Sequence, residues 1–177
     1  MRDPAAPAGK PARICLIGFM GSGKSTVGPL LAGRLGWEFV DLDTLVEARA
    51  GRPIAAVFEE HGEGRFRALE SACLREAAER RRAVIATGGG APMGDANRWF
   101  FEDAGTAVFH LGVSLDEALA RTRGDASRPL LARGADDVHR LYASRLPLYR
   151  NLGTEVLTDG RTPEEIAAEI LARLAVR

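Results

Sequence analysis

The stretch Gly18-Phe-Met-Gly-Ser-Gly23-Lys24-Ser25-Thr26 constrains this chain more than any other. It follows a short apolar run, Arg13–Ile17. It opens a segment, Lys24–Leu35, whose apolar residues recur at helical spacing until Gly36. The pattern is G-x-x-x-x-G-K-[ST] between a buried strand and a helix, the setting in which such a loop binds phosphate. Its glycines let successive backbone N–H groups turn inward around phosphate oxygens. The helix N-terminus adds a partial positive charge. Lys24 would reach the β- and γ-phosphates of a nucleotide, and the Ser25 hydroxyl would ligate Mg²⁺. Gly21, Ser22, Gly23 and Thr26 complete the expected ATP cradle. Apart from Lys24 the only lysine is Lys10, and every other basic residue is arginine. The charge of Lys24 is therefore expected to serve the phosphates, with little part in folding.

The rest of the chain alternates strands with helices. Trp37–Asp41, Ala83–Thr87, Thr106–Leu111 and Glu155–Leu157 read as further strands. Helices are expected over Thr44–Ala50, Ile54–His61, Glu63–Arg82, Asp95–Asp103, Ser114–Arg121 and Asp136–Tyr149, and a last one after Thr162. Ser114 with Glu117, and Thr162 with Glu165, have capping-box spacing, and Pro163 suits a first helical turn. The strands are apolar without polar alternation, which describes a parallel α/β sheet covered on both faces. With 177 residues and a prior of about 150 per domain, one domain is expected over 13–177. The Pro- and Ala-rich residues 1–12 read as a disordered leader. Residues 123–134, rich in Gly, Pro and Arg, read as a mobile lid.

Further candidates cluster near strand ends. Asp41-Leu-Asp43 closes the second strand, and ligands of open parallel sheets sit beyond the carboxyl ends. Asp41 could hold Mg²⁺ through water and Asp43 could accept a substrate hydroxyl; Asp43 as a helix N-cap is the competing explanation. The third strand ends in Thr87 where a metal-binding strand would end in Asp, which leaves the metal to Asp41. Gly88-Gly89-Gly90 would admit a ligand close to the backbone, or simply make a tight turn. In Phe58–Glu70, Arg67 could grip a carboxylate bidentately, with Glu70 one turn on to hold it; a solvated helix face is the plainer alternative. Arg128-Pro-Leu-Leu and Arg145-Leu-Pro-Leu-Tyr149 are short motifs of the same kind.

Composition narrows the field. Lys+Arg and Asp+Glu are 24 each, so bulk charge does not call for nucleic acid or an anionic membrane. Arg80-Arg81-Arg82 suits a helix end facing solvent. Cys15 and Cys73 lack metal or disulfide spacing, and His61, His110 and His139 lack metal-ligand spacing. There is no signal-peptide core and no apolar stretch long enough to cross a bilayer. A reduced, cytoplasmic, soluble protein is expected.

Together, GFMGSGKSTVG, DLD, GRPIAAVFEEHGEGRFRALE, TGGG, RPLL and RLPLY resemble the shikimate kinase family in order and spacing, from about Arg13 to Leu174. The resemblance implies a P-loop nucleoside-monophosphate-kinase-like fold, three layers around a five-stranded parallel sheet. It implies transfer of the γ-phosphoryl of ATP to the 3-hydroxyl of shikimate, in chorismate and aromatic amino acid biosynthesis, by a monomer. By position in the motifs, Asp43, Phe58, Arg67, Gly88, Gly89, Gly90 and Arg145 would form the shikimate site, with Phe66 as wall and Glu70 as the arginine's support. Arg128 would be the lid arginine on the phosphates. Arg121, Arg161 and Pro163 would flank adenine, and Ser25 with Asp41 would serve Mg²⁺. Lys24, Asp43 and Arg128 would be the catalytic set. The departure is GGGAPM, where a small apolar continuation is usual. A gluconate-type kinase, a non-catalytic ligand-sensing module, and a nucleotide kinase or small GTPase are the rivals. Paired Arg67 and Arg145 argue against the first, the intact Lys24/Ser25/Asp43/Arg128 set against the second, and the lack of an N-K-x-D motif against a GTPase.

Overall fold

Alternating apolar runs build one parallel sheet in the computed structural model, which describes residues 11–123 and 134–175. Five strands, β1 (Arg13–Ile17), β2 (Glu38–Asp41), β3 (Ala83–Ala86), β4 (Thr106–Gly112) and β5 (Thr154–Leu157), lie in the order β2-β3-β1-β4-β5. Every pairing is parallel. Successive residues of β1 point to opposite faces and enter two different cores. Cys15 and Ile17 pack with Phe66, Leu74, Ile85 and Tyr149. Ile14 and Leu16 pack with Val27, Leu31, Phe109, Ile166 and Ile170. Each face is therefore covered by helices, as the uninterrupted apolar strands predict. Helices α1 (Lys24–Leu35) and α7 (Pro163–Ala175) cover one face. The other lies under α2 (Leu42–Ala50), α3 (Ile54–Ala78), the short α4 (Arg98–Phe101), α5 (Leu115–Thr122) and α6 (Ala135–Leu152).

The strand order fixes where a ligand can sit. The chain runs from β1 out to edge strand β2, returns to β3 between them, then crosses to β4 on the other side of β1. The crossovers on either side of β1 diverge at its carboxyl end, which opens a crevice there. The Gly18–Gly23 loop occupies that point.

Several expected boundaries shift for local reasons. The segments Ile54–His61 and Glu63 onward are joined at Gly62, whose φ of 73° and ψ of 177° break the helical path. The second of them stops at Ala78, not Arg82. Arg82 instead takes a left-handed φ of 56°, and its N–H donates to the Ala12 carbonyl at 2.7 Å. Arg80 stays partly exposed while it pairs with Glu38 and Glu76. Ala12, the end of the expected leader, is thus bonded to Arg82 and also donates to the Gly105 carbonyl; residues 1–10 lie outside the described residues. Within the helix expected over Asp95–Asp103 the chain makes one 3₁₀ turn, Asp95–Asn97, and then α4, which stops at Phe101, with Phe100 and Phe101 turned into the core. The Ser114–Glu117 box is half made: Ser114 Oγ accepts from Glu117 N at 3.3 Å. The Glu117 carboxylate goes to Arg121 instead, and the Ser114 N–H is taken by Asp159. The Thr162–Glu165 box forms completely.

Pro29 lies inside α1 on its exposed side. It cannot donate to the carbonyl four residues back, and its ring crowds that turn. Replacing it with alanine should raise unfolding stability by about 2 kcal/mol, the helix gain less the added freedom of the unfolded chain. Urea melts of the two chains would measure the difference.

Candidate active site

The loop after β1 is held open by its own lysine. Lys24 Nζ donates to the Gly18 and Phe19 carbonyls, both at 2.9 Å, and to Ser22 Oγ at 3.2 Å. Lys24, expected to serve the phosphates with little part in folding, thus also laces its own loop. Gly18 has a φ of 146°, and a side-chain carbon there would lie 2.6 Å from the Leu111 carbonyl. Only glycine lets the loop pass this close to the end of β4. Gly23, left-handed, heads α1 with no side-chain cap and no acidic residue in the first turn. The first N–H groups of the helix and its partial positive charge thus face an anion site. Gly21 and Ser22 form the loop's inner turn, and Thr26 N–H closes back on the Gly23 carbonyl at 3.0 Å.

Beside this loop, Ser25 Oγ donates to Asp41 Oδ2 at 2.7 Å. Asp41 Oδ1 caps α2 by accepting from Asp43 N at 3.0 Å and Thr44 N at 3.4 Å. The cap is therefore Asp41, which removes the competing account of Asp43 as N-cap. The Asp43 carboxylate turns instead toward the end of β3. A side-chain carbon on Gly88 would lie 2.7 Å from Asp43 Oδ1 and 3.0 Å from Glu70 Oε1.

The three glycines form a floor on which charged side chains rest. A carbon on Gly90 would meet Arg67 Nη1 at 2.4 Å, and one on Gly89 would meet Arg145 Nη1 at 3.4 Å. Arg67 and Arg145 arrive from α3 and α6. Arg67 is held by Glu70 at 2.7 Å and Glu63 at 3.2 Å, and its guanidinium lies 5.0 Å from the Phe66 ring centroid. Phe58 stacks on Phe66 at 4.5 Å and completes an aromatic wall. Arg145 is 9% exposed. The solvated-face alternative for Arg67 fails, because its partner Glu70 is 1% exposed. Burial pushes the Glu70 carboxyl above its ordinary range, with Asp43 adding to the shift and Arg67 opposing it. Glu70 Oε1 is buried without a hydrogen-bond partner among the described residues, so the pocket keeps an acceptor aimed at its floor.

On the far side of the loop, Arg121 Nη1 donates to the Gly21 carbonyl at 3.3 Å and to Thr158 Oγ1 at 3.1 Å. It bridges the phosphate loop to the turn before α7, where Pro163 is the first helical residue. Arg161 is fixed to α7 and its approach, donating to the Leu157 carbonyl at 3.0 Å and Glu169 at 2.6 Å. Its charge is thereby matched within the fold. Arg128 and most of the expected lid, 124–133, lie outside the described residues. Two residues of this neighbourhood were given no role from the sequence. Thr158 is buried where Arg121 anchors, and nothing local marks it. Tyr149 lies under the glycine floor; its four-residue spacing from Arg145 was the available signal.

A phosphate loop at the switch point of a parallel sheet, with Arg67, Arg145 and Asp43 gathered over the neighbouring glycines, is the arrangement of a P-loop kinase. Comparison with known proteins narrows the class. The shikimate kinase family model matches residues 20–175. A shikimate kinase of Chromohalobacter salexigens is 45% identical over 163 residues, 90% of each chain. The solved shikimate kinase of Acinetobacter baumannii, in complex with shikimate, superposes with a TM-score of 0.89 at 35% identity over 95% of both chains. A gluconokinase of Sinorhizobium meliloti shares the fold, with a TM-score of 0.64 at 24% identity. This chain belongs to the shikimate kinase family.

Proposed function

We propose that this chain transfers the γ-phosphoryl of ATP to the 3-hydroxyl of shikimate, yielding shikimate 3-phosphate and ADP on the route to chorismate and the aromatic amino acids. The observation that carries the reading is the convergence of Arg67, Arg145 and Asp43 on the Gly88–Gly90 floor, next to the Lys24 loop. Two guanidiniums suit a carboxylate, and a carboxylate between them and the phosphate loop suits a hydroxyl. Shikimate carries both groups. Family membership supports the same substrate.

In this reading the substrate carboxylate lies between Arg67 and Arg145, against Phe58, and its ring rests on Gly88, Gly89 and Gly90. Asp43 orients the 3-hydroxyl and takes its proton as the oxygen bonds to the γ-phosphorus. The bond from that phosphorus to the bridging oxygen breaks, and ADP leaves with the electron pair. The transition state is loose, so positioning and charge stabilisation supply most of the rate. Lys24 stabilises the charge that develops on the β- and γ-oxygens, and Arg128 acts from the lid. The loop Gly21–Thr26 cradles the phosphates, with Arg121, Arg161 and Pro163 on the adenine side; Arg161 contributes its stem, because its guanidinium is tied to α7. The Ser25–Asp41 oxygen pair fits Mg²⁺, a hard ion that takes few protein ligands and completes its shell with water and phosphate. Bound there, Mg²⁺ would neutralise phosphate charge. Among the described residues no helix is long and apolar enough to cross a membrane. We assign a cytoplasmic monomer without nucleic-acid partners, residues 13–177 forming one domain.

A coupled ADP-release assay against shikimate, gluconate and nucleoside monophosphates tests this reading. ADP release should require shikimate. Turnover of another acceptor in its place would overturn the substrate, and no turnover with any acceptor would favour a sensing module.

A further inference from the structure

Beneath the glycine floor, three parts of the fold meet at one hydroxyl. Tyr149 is 1% exposed and lies one turn beyond Arg145 on the same face of α6. Its phenol donates to the Gly89 carbonyl and interacts electrostatically with the Arg145 guanidinium. Because the phenolic proton goes to Gly89, the lone pairs of the oxygen are left to face the guanidinium. A side-chain carbon on Gly89 would lie 3.3 Å from that oxygen, 3.3 Å from the Gly18 carbonyl and 3.4 Å from Arg145 Nη1. The Gly18 carbonyl in turn accepts from Lys24. The end of β3, helix α6 and the start of the phosphate loop are therefore joined around Gly89.

We propose that Tyr149 is a positioning residue of the acceptor site, its hydroxyl aiming the Arg145 guanidinium and fixing the Gly89 backbone. The proposal rests on the shikimate reading above. Arg67 leans on two carboxylates, whereas Arg145 has this phenol beside it and Glu70 acting on it at longer range. A neutral partner directs a guanidinium without neutralising it, so Arg145 keeps its charge for a bound anion. The ring cannot turn aside, because the buried His110 imidazole lies against it, with centroids 5.2 Å apart and planes 32° apart. Burial holds the phenol up to about 12, so it stays protonated and can donate and accept at once.

Phenylalanine at this position keeps the ring and removes only the oxygen, taking the donor from the Gly89 carbonyl and the polar neighbour from Arg145. Steady-state kinetics, shikimate calorimetry and melting curves would be taken for wild type, Tyr149→Phe, Arg145→Lys and the double variant. Tyr149→Phe should raise the shikimate KM and Kd by about tenfold, with the ATP KM within about twofold and little change in melting temperature. In the Arg145→Lys background the same substitution should add little, because residues acting through one another are not additive. An unchanged shikimate KM, an equal loss in both backgrounds, or a parallel loss of ATP affinity and stability would overturn the role. A Tyr149→Phe chain that fails to fold would overturn it too, since the hydroxyl would then hold the fold and not the site. A wild type that neither binds nor phosphorylates shikimate overturns the underlying reading instead.

Discussion

Lys24→Met should lower kcat by about 10³-fold or more, the loss expected when a preorganised charge is withdrawn from a developing phosphoryl transition state. Methionine fills much of the same channel but cannot donate. The loop then loses three bonds, to the Gly18 and Phe19 carbonyls and to Ser22 Oγ. A modest fall in melting temperature should therefore accompany the loss of turnover, while the far-ultraviolet circular dichroism stays that of the folded chain. The two effects are separable: single-turnover phosphoryl transfer reports the charge, and thermal melting reports the lacing. A variant with substantial residual turnover would remove the assignment of the loop as the ATP site.

Asp43→Asn should lower kcat by roughly 10²- to 10⁴-fold, the usual worth of a positioned general base, with a smaller rise in the shikimate KM. Asparagine keeps the shape and much of the hydrogen bonding but removes the basicity. Because the cap of α2 is Asp41 and the contribution of residue 43 is its backbone N–H, the substitution leaves that cap in place. Its stability should stay close to wild type, so a rate loss cannot be ascribed to a damaged helix. Measuring kcat, shikimate affinity and unfolding together decides the point. Unchanged kcat would take proton transfer away from Asp43, and a chain already inactive as wild type would be a binding module.

What was legible in the sequence was whatever short-range physics writes into neighbouring residues. The glycine pattern and the following helical period placed the phosphate loop, because backbone turns and helix termini are built from adjacent positions. Apolar strands without polar alternation announced a sheet covered on both faces, and Gly36 and Gly51 stopped helices where a left-handed residue was needed. The Thr162–Glu165 cap formed as its spacing required. The very similar Ser114–Glu117 pair did not, because Arg121, itself anchored on Thr158, and Asp159 from across the sheet end offered stronger charged partners.

Those competitors belong to tertiary structure, and so does most of the acceptor site. Only the insertion of β3 between β2 and β1 brings Gly88 under Asp43 and Glu70, and only the packing of α3 and α6 on one sheet face brings Arg67 and Arg145 to the same floor. That Asp41 and not Asp43 caps α2 depended on which carboxylate reached the α2 N–H groups. Tyr149 showed no more in the sequence than its spacing from Arg145, yet burial sets its hydroxyl against the Gly89 carbonyl. The sequence by itself determined the fold class, the nucleotide loop and the family, because these are carried by local backbone geometry and residue order. The tertiary structure alone decided which charges face one another, because the strength of an ion pair depends on distance and burial, and neither is a property of neighbours along the chain.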